Sequence, residues 1–184
     1  MDDEGSGCGS CGARSCAECP LASDLRDGLA FEEIVADLSS KFVHLHPEDL
    51  DTEIDEALRR VCEPLGIDLA VLWQWADSDP GVIRPTHAYG AGGVPRPTEP
   101  MSQVEYPWCV GEVLAGRAIH MPSTVALPVE AAVDRETCDR YGIRAALCLP
   151  LAVGGEPVGA LGFNDLRGER DWSAPLVRRL ELVA

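Results

Sequence analysis

The stretch AALCLPLAVGGEPVGALGFN, residues 145–164, contains two apolar runs on either side of Gly154-Gly155-Glu156. Each run, 145–153 and 157–164, has the length and composition of a buried β-strand. The glycines between them supply the positive φ that a tight hairpin turn needs. This stretch therefore predicts an antiparallel hairpin, and with it a sheet.

A second hairpin is predicted nearer the N-terminus. Residues 69–75, LAVLWQW, form a short apolar run that is typical of a mostly buried strand. The turn-forming sequence DSDPG follows at 77–81, and residues 82–89 provide the partner strand. A further short strand is predicted at 118–121.

Apolar residues recur with a helical period in the segments around these strands. The predicted helices are residues 25–42, a segment from an Asp51 N-cap to Leu65, residues 106–114, residues 129–141 with Gly142 as C′ residue, and a last helix from a Ser173 cap to Ala184. Residues 90–100 contain three prolines and are predicted to form an ordered surface loop. Helices mixed with hairpins predict an α+β fold, an antiparallel sheet flanked by helices.

Length and charge limit the partners of this chain. Its 184 residues allow one domain, 25–184, preceded by a short cysteine-rich segment, 1–24. With 31 acidic against 15 basic residues the net charge is −16, which disfavours nucleic acid as a partner. No apolar run approaches the roughly 18 to 20 residues that span a membrane. The N-terminus lacks a secretory signal, so we expect a cytoplasmic, reducing location.

The four N-terminal cysteines have the spacing C-x2-C-x4-C-x2-C, and they predict a metal site formed by Cys8, Cys11, Cys16 and Cys19. Two C-x2-C pairs can direct their thiolates at one ion or cluster, as in zinc sites. The short spacer and the Cys19-Pro20 step favour an iron–sulfur cluster, although the spacing differs from that of ferredoxins. Iron–sulfur and zinc both stay open. The other cysteines are interpreted as small core residues: Cys62, Cys109, Cys138 and Cys148.

Several short motifs occur in order along residues 29–184. They are FEEIVADLS at 31–39, the helix 54–65, Tyr106-Pro107-Trp108, Asp134-Arg135-Glu136, Gly142-Ile143-Arg144, Leu149-Pro150-Leu151, Val153-Gly154-Gly155 and Leu166-Arg167-x-x-Arg170-x-Trp172. In these motifs the chain resembles a GAF domain, of the type that precedes PAS, histidine kinase or sigma-54 activator domains in bacterial signalling proteins. The resemblance implies a sensory or regulatory module.

The resemblance also implies where a ligand binds and how a signal leaves the domain. A small molecule, whose identity stays unknown, would occupy a pocket on one side of the sheet. The candidate pocket residues are Trp73, Trp75, His87, Tyr89, Trp108, Cys109 and Phe163. The terminal helices would pair in a homodimer and pass a shift to a downstream output domain.

Specialised branches of the family fit the residues less well. The cyclic-nucleotide signature survives only in fragments at Phe163-Asn164-Asp165, and no cysteine is followed by the histidine typical of bilin attachment. Cys109, Cys138 and Cys148 would suit a free-methionine-sulfoxide reductase, but their surroundings do not resemble that branch.

The chain contains no G-x-S-x-G, P-loop or H-E-x-x-H motif. The resemblance implies a sensory module of a two-component or activator protein. Its kinase activity, if any, would lie beyond Ala184, where the last helix would continue. The alternative is a small redox enzyme or electron carrier that uses the cysteines of the N-terminal segment or of the domain.

Overall fold

The computed structural model of the chain describes residues 20–76 and 79–184. The four N-terminal cysteines lie outside the described residues, so the predicted metal site stays a prediction. Among the described helices, none combines the length and the apolar character needed to cross a membrane.

Six strands of the described residues form one antiparallel sheet. They are β1 (Leu69–Ala76), β2 (Asp79–Gly90), β3 (Met101–Ser102), β4 (Ile119–Met121), β5 (Ala145–Val153) and β6 (Glu156–Asp165), in the spatial order β3-β2-β1-β6-β5-β4. Both predicted hairpins are present, and the α+β prediction is confirmed. The sequence analysis missed β3, a two-residue strand that pairs with Val82 and Ile83.

The β5–β6 hairpin has the predicted turn. Val153 pairs with Glu156, which leaves Gly154 and Gly155 as a two-residue loop with φ values of 62° and 89°. Positive φ at both positions is the requirement of the turn that matches the twist of the flanking strands. Side chains with a Cβ would be strained at either position.

In the part of the chain that the structure describes, five α-helices accompany the sheet: α1 (Pro20–Val43), α2 (Leu50–Leu65), α3 (Pro107–Leu114), α4 (Ala132–Tyr141) and α5 (Ala174–Glu181). The N-cap of α2 is Asp49, so the predicted cap Asp51 lies inside the first turn. Residues 129–131, predicted as helix, form a separate 3₁₀ turn before α4. The last helix ends at Glu181 rather than at Ala184.

The two faces of the sheet pack against different helices. One face forms the main core with α1, α2 and α5; its buried members include Phe31, Leu38, Leu58, Val61, Leu147, Phe163 and Leu180. The other face packs against α3 and α4 through two smaller clusters. Because side chains alternate along each strand, neighbouring residues of one strand belong to different layers.

Arg170, in the segment between β6 and α5, connects three parts of the fold. Its guanidinium forms an ion pair with Asp165 at the end of β6. It also donates to the carbonyl oxygens of Leu65 and Gly66 at the end of α2, at 3.2 and 2.9 Å. Its backbone N–H donates to the Pro122 carbonyl, directly after β4, at 3.1 Å. Arg170 thus joins β4, β6 and the C-terminus of α2.

Trp172 extends this connection. Its ring centroid lies 5.4 Å from the Arg170 guanidinium carbon, a cation–π contact. Its indole N–H donates to the Met121 carbonyl at 3.1 Å, and the side chain is buried. We call Arg170, Asp165 and Trp172 together the Arg170 clamp.

A second carboxylate holds the same corner. Asp68, directly before β1, accepts hydrogen bonds from the backbone N–H groups of Leu166 and Arg167 at 3.0 and 3.2 Å, and pairs with the Arg167 guanidinium at 2.6 Å. Burial alone would raise the pKa of Asp68. These donors favour the carboxylate and hold its pKa below the usual range. Asp68 is therefore charged at neutral pH and fixes the end of β6 beside the start of β1.

We expect Arg170→Lys to lower the free energy of unfolding by about 2 kcal/mol. Lysine keeps the positive charge but lacks the planar guanidinium that donates several hydrogen bonds at once. Urea denaturation followed by circular dichroism measures the change. Arg178→Lys, on an exposed position of α5, is the matched control and should cost less than about 0.5 kcal/mol. An equal decrease in the free energy of unfolding for Arg170→Lys and Arg178→Lys would contradict the role of the clamp.

Candidate functional site

A cavity of about 690 Å³ lies between the sheet and the α3–α4 side of the domain. This volume is within the range of small-molecule sites, about 300 to 1,000 Å³. A smaller cavity of about 380 Å³ lies on the other side of the sheet, among mostly apolar residues of α1, α2, the strands and the segment after α5. We consider the larger cavity as the candidate site because it also contains charged groups.

The floor of the cavity is the central part of the sheet. Alternate residues of β1 line it, namely Leu69, Val71, Trp73 and Trp75. At about 3.3 Å per residue, this row extends over about 20 Å. The neighbouring strands complete the floor with Ala160, Gly162 and Asn164 from β6 and with Ala146 and Cys148 from β5. The cavity is therefore long, with a mostly apolar floor.

The roof consists of helices and of the proline-rich loop. Tyr106 precedes α3, and Cys109, Val110 and Val113 belong to that helix, while α4 contributes Cys138, Arg140 and Tyr141. Residues 95–101, from the predicted surface loop and the first residue of β3, cover the remaining side. The loop is thus part of the cavity wall.

Asp134 on α4 fixes the start of α3. Its two carboxylate oxygens accept hydrogen bonds from the backbone N–H groups of Trp108 and Cys109, at 3.1 and 2.8 Å. These N–H groups lie in the first turn of α3, where no helical carbonyl is available, and Pro107 has no N–H to satisfy. Asp134 has no exposed surface. It therefore acts as an N-cap from a different helix.

Two further side chains fix α4 to the cavity wall. The Thr137 hydroxyl donates to the Glu105 carbonyl at 2.8 Å, and Arg135 donates to the carbonyls of Thr124 and Leu127 at 3.1 and 2.7 Å. The sequence analysis quoted Asp134-Arg135-Glu136 as part of a family resemblance but assigned no structural role to these residues. Capping across two helices has no local sequence signal, since residues 108 and 134 are far apart in the chain.

Three thiols face the cavity from three different elements. Burial raises the pKa of Cys138 to about 11 and that of Cys148 to about 12. Burial also raises the pKa of Cys109, and the neighbouring Asp134 carboxylate adds to that effect. The thiols are therefore uncharged at neutral pH. They act as soft apolar wall rather than as nucleophiles.

The charged residues at the cavity balance each other, with Arg96 and Arg140 against Glu99 and Glu105. Arg96 donates to the Ala88 carbonyl at 3.1 Å, and Glu105 accepts from the Ser102 N–H at 3.3 Å. Within the described ranges, Arg140 and Glu99 have no ion-pair partner. The lining thus has no net charge, in a chain whose own net charge is −16.

The structure brings three of the seven predicted pocket residues to this cavity, Trp73, Trp75 and Cys109. Trp108 does not line it but packs beside it, against the clusters around Val113 and Met121. Phe163 is fully buried on the opposite face, in the main core. The reason is strand alternation, because Gly162 and Asn164 point to the cavity and Phe163 between them cannot.

His87 and Tyr89 also lie on the core face. In β2, Pro85 pairs with Trp73 and His87 pairs with Leu72, so Thr86 is an extra residue, a β-bulge. The bulge reverses the alternation: Ile83 faces the cavity, whereas His87 contacts Asp51 of α2 at 3.3 Å. Without the bulge, side-chain alternation along β2 would place Ile83, His87 and Tyr89 on the same face of the sheet.

No group of three or more histidine, cysteine or carboxylate side chains is arranged to hold a metal ion in residues 20–76 and 79–184. Cys62 and Cys138 are buried, in agreement with their interpretation as core residues. The N-terminal cysteines remain the candidates for metal binding.

We expect Asp134→Ala to lower the free energy of unfolding by about 2 to 3 kcal/mol, because two buried N–H groups lose their acceptors. Hydrogen exchange at the Trp108 and Cys109 amides should accelerate together with that loss. Asp134→Asn keeps one oxygen acceptor. Its free energy of unfolding and its amide exchange rates should lie between those of Asp134→Ala and of the wild type. Unchanged exchange at both amides in Asp134→Ala would contradict the capping role.

The structure was compared with solved structures. The phycocyanobilin-bound GAF domain from a cyanobacterial phytochrome is similar with a TM-score of 0.69 at 12% identity, covering 83% of this chain and 88% of that one. The GAF domain from Acinetobacter phosphoenolpyruvate-protein phosphotransferase has a TM-score of 0.61 at 11% identity, covering 86% and 87%.

The chromophore-binding domain of the bacteriophytochrome RpBphP3 from R. palustris has a TM-score of 0.68 at 14% identity, covering 90% of this chain and 59% of that one. At these identities the likeness shows the fold. No curated protein matches the sequence. The family model of the GAF domain matches residues 49–184. The chain therefore belongs to the GAF domain family, the sensory and regulatory modules of signalling proteins.

Proposed function

We propose that this chain is the sensory input domain of a bacterial signal-transduction protein, of the histidine kinase or transcriptional activator kind, and that it binds a small molecule in the cavity. The observation on which this depends is the long cavity of about 690 Å³ on the α3–α4 side of the sheet. Family membership supports a sensory role. A phytochrome GAF domain of the same fold is solved with a bound phycocyanobilin.

The Arg170 clamp provides a route from the cavity to the helices. Met121 and Leu166 line the cavity. Met121 accepts the Trp172 hydrogen bond, and Leu166 is held by Asp68. Arg170 binds the end of α2, and α5 begins two residues after Trp172. A ligand that shifts the cavity wall would therefore displace the clamp and, with it, α2 and α5.

A homodimer through the terminal helices, connected to a downstream output domain, is part of the proposal. Apolar side chains of α1 and of the segment after α5 are exposed: Leu29 by 54%, Val43 by 78% and Leu182 by 65%. We expect the homodimer to cover these side chains. A domain of this type in the cytoplasm would receive its ligand directly from the cell interior.

The alternative, a redox enzyme or electron carrier, is less well supported. The cavity thiols have raised pKa values, whereas a nucleophilic cysteine needs a lowered one. The N-terminal cysteines keep a redox role open, but as an added input to the sensory domain. We propose that they hold an iron–sulfur cluster or a zinc ion.

Binding of 1-aminoanthracene, an uncharged fluorescent aromatic probe, tests the cavity. We expect about one equivalent to bind. Ala146→Leu, which extends a side chain from the floor into the cavity, should weaken binding at least tenfold, whereas Ala152→Leu on the exposed part of β5 should not. Fluorescence titration measures both. If the probe does not bind, or if both variants bind it like the wild type, the cavity is not the ligand site.

Anaerobic purification followed by metal analysis and an absorption spectrum tests the N-terminal site. We expect stoichiometric iron with a coloured cluster or one zinc per chain, because four closely spaced thiolates bind either. The Cys11→Ser and Cys16→Ser double variant should lose the metal, and Cys148→Ala should keep it. A metal-free wild type, or metal retained in the double variant, would rule the site out.

A further inference from the structure

Two indole N–H groups at the cavity lack acceptors among the described residues. Trp73 and Trp75 both line the floor, and both side chains are half-buried. The N–H of Trp75 is fully enclosed by neighbouring atoms, whereas that of Trp73 is not enclosed in this way. Trp73 is therefore the donor that a ligand can reach.

Gly162 makes the floor flat between two donors. A Cβ at this glycine would lie 3.7 Å from the Trp73 indole nitrogen and 3.8 Å from the Asn164 amide nitrogen. Both donors thus surround the same point above β6. The Asn164 amide makes one long hydrogen bond, 3.5 Å to the Leu69 carbonyl, and has a second N–H to offer. The Cβ position itself is too far from both nitrogens for a hydrogen bond, so an acceptor atom above Gly162 would lie between the two nitrogens and closer to each of them.

The rest of the lining indicates what the acceptor belongs to. Trp73, Trp75 and Tyr106 present aromatic surface, and Met101 and Met121 add sulfur atoms that pack well against rings. The lining has as many positive as negative side chains, and its thiols are protonated. The strongly acidic chain also repels anions. An uncharged planar ring system matches this lining.

We propose that the cavity binds an uncharged, planar aromatic carbonyl compound whose oxygen accepts hydrogen bonds from Trp73 Nε1 and Asn164 Nδ2 above Gly162. This inference rests on the proposed function of the cavity as a ligand site and specifies its ligand class. Binding is non-covalent, because the cavity thiols stay protonated. The glycine has a role of its own, since a methyl group there would crowd an oxygen that lies between the two nitrogens.

The matched probes are 9-fluorenone and fluorene, two planar tricyclic compounds that differ by the carbonyl oxygen. Equilibrium dialysis against the wild-type chain should give a roughly five- to tenfold lower Kd for fluorenone, the effect of hydrogen bonds to otherwise unpaired donors. Trp73→Phe keeps the ring and removes the N–H. It should bind fluorenone only about two- to threefold more tightly than fluorene, because the Asn164 amide still donates.

Gly162→Ala tests the geometry. The added methyl would make only ordinary van der Waals contacts, so the variant should unfold at the wild-type urea midpoint while its preference for fluorenone is lost. Gly168→Ala, where a Cβ meets no atom within 4 Å, is the matched control and should keep the preference.

Each outcome decides the proposal. A preference that is full in the wild type and in Gly168→Ala, reduced in Trp73→Phe and lost in Gly162→Ala, supports it. Equal binding of both probes by the wild type overturns the ligand class but leaves cavity binding intact, provided that 1-aminoanthracene binds. A preference of wild-type size in Trp73→Phe overturns the assignment of that donor. Failure of all three probes overturns the ligand class and the proposed function together.

Discussion

The ion pair between Arg170 and Asp165, which is largely buried, is the interaction on which the arrangement of this domain depends. An Arg–carboxylate pair taken out of water is favourable only if its remaining donors are satisfied. Here the carbonyls of Leu65 and Gly66 satisfy them, so the pair fixes the end of α2 to the end of β6. Trp172 covers the guanidinium and reaches β4. Both faces of the sheet are thereby held at one corner.

Much of the fold could be predicted from local patterns. The β5–β6 hairpin has an apolar run on each side of two glycines, and the left-handed residues Gly66 and Gly142 end α2 and α4 as expected. The bulge at Thr86 could not be predicted, because it arises from the pairing of β2 with β1 and the local sequence of β2 does not indicate it. That single extra residue moves His87 and Tyr89 away from the cavity.

The cavity depends on contacts between distant parts of the chain. Asp134 on α4 caps α3, and without it the roof above Trp73 would lose its anchor. The family resemblance identified Trp73, Trp75 and Cys109 as cavity residues but not Gly162 or Asn164, which have no distinctive chemistry by themselves. Their importance comes from alternation along β6, which puts them beside β1. The sheet therefore separates an apolar core on one face from a cavity with unpaired donors on the other.

We propose that binding in the cavity is transmitted to α5 through the Arg170 clamp. Hydrogen exchange of the α5 amides, measured with and without 1-aminoanthracene in the wild type and in Arg170→Lys, tests this transmission. We expect the probe to change exchange in α5 of the wild type and to leave that of the variant unchanged, although the variant still binds the probe. Exchange in α5 that does not respond to the bound probe in the wild type would contradict it.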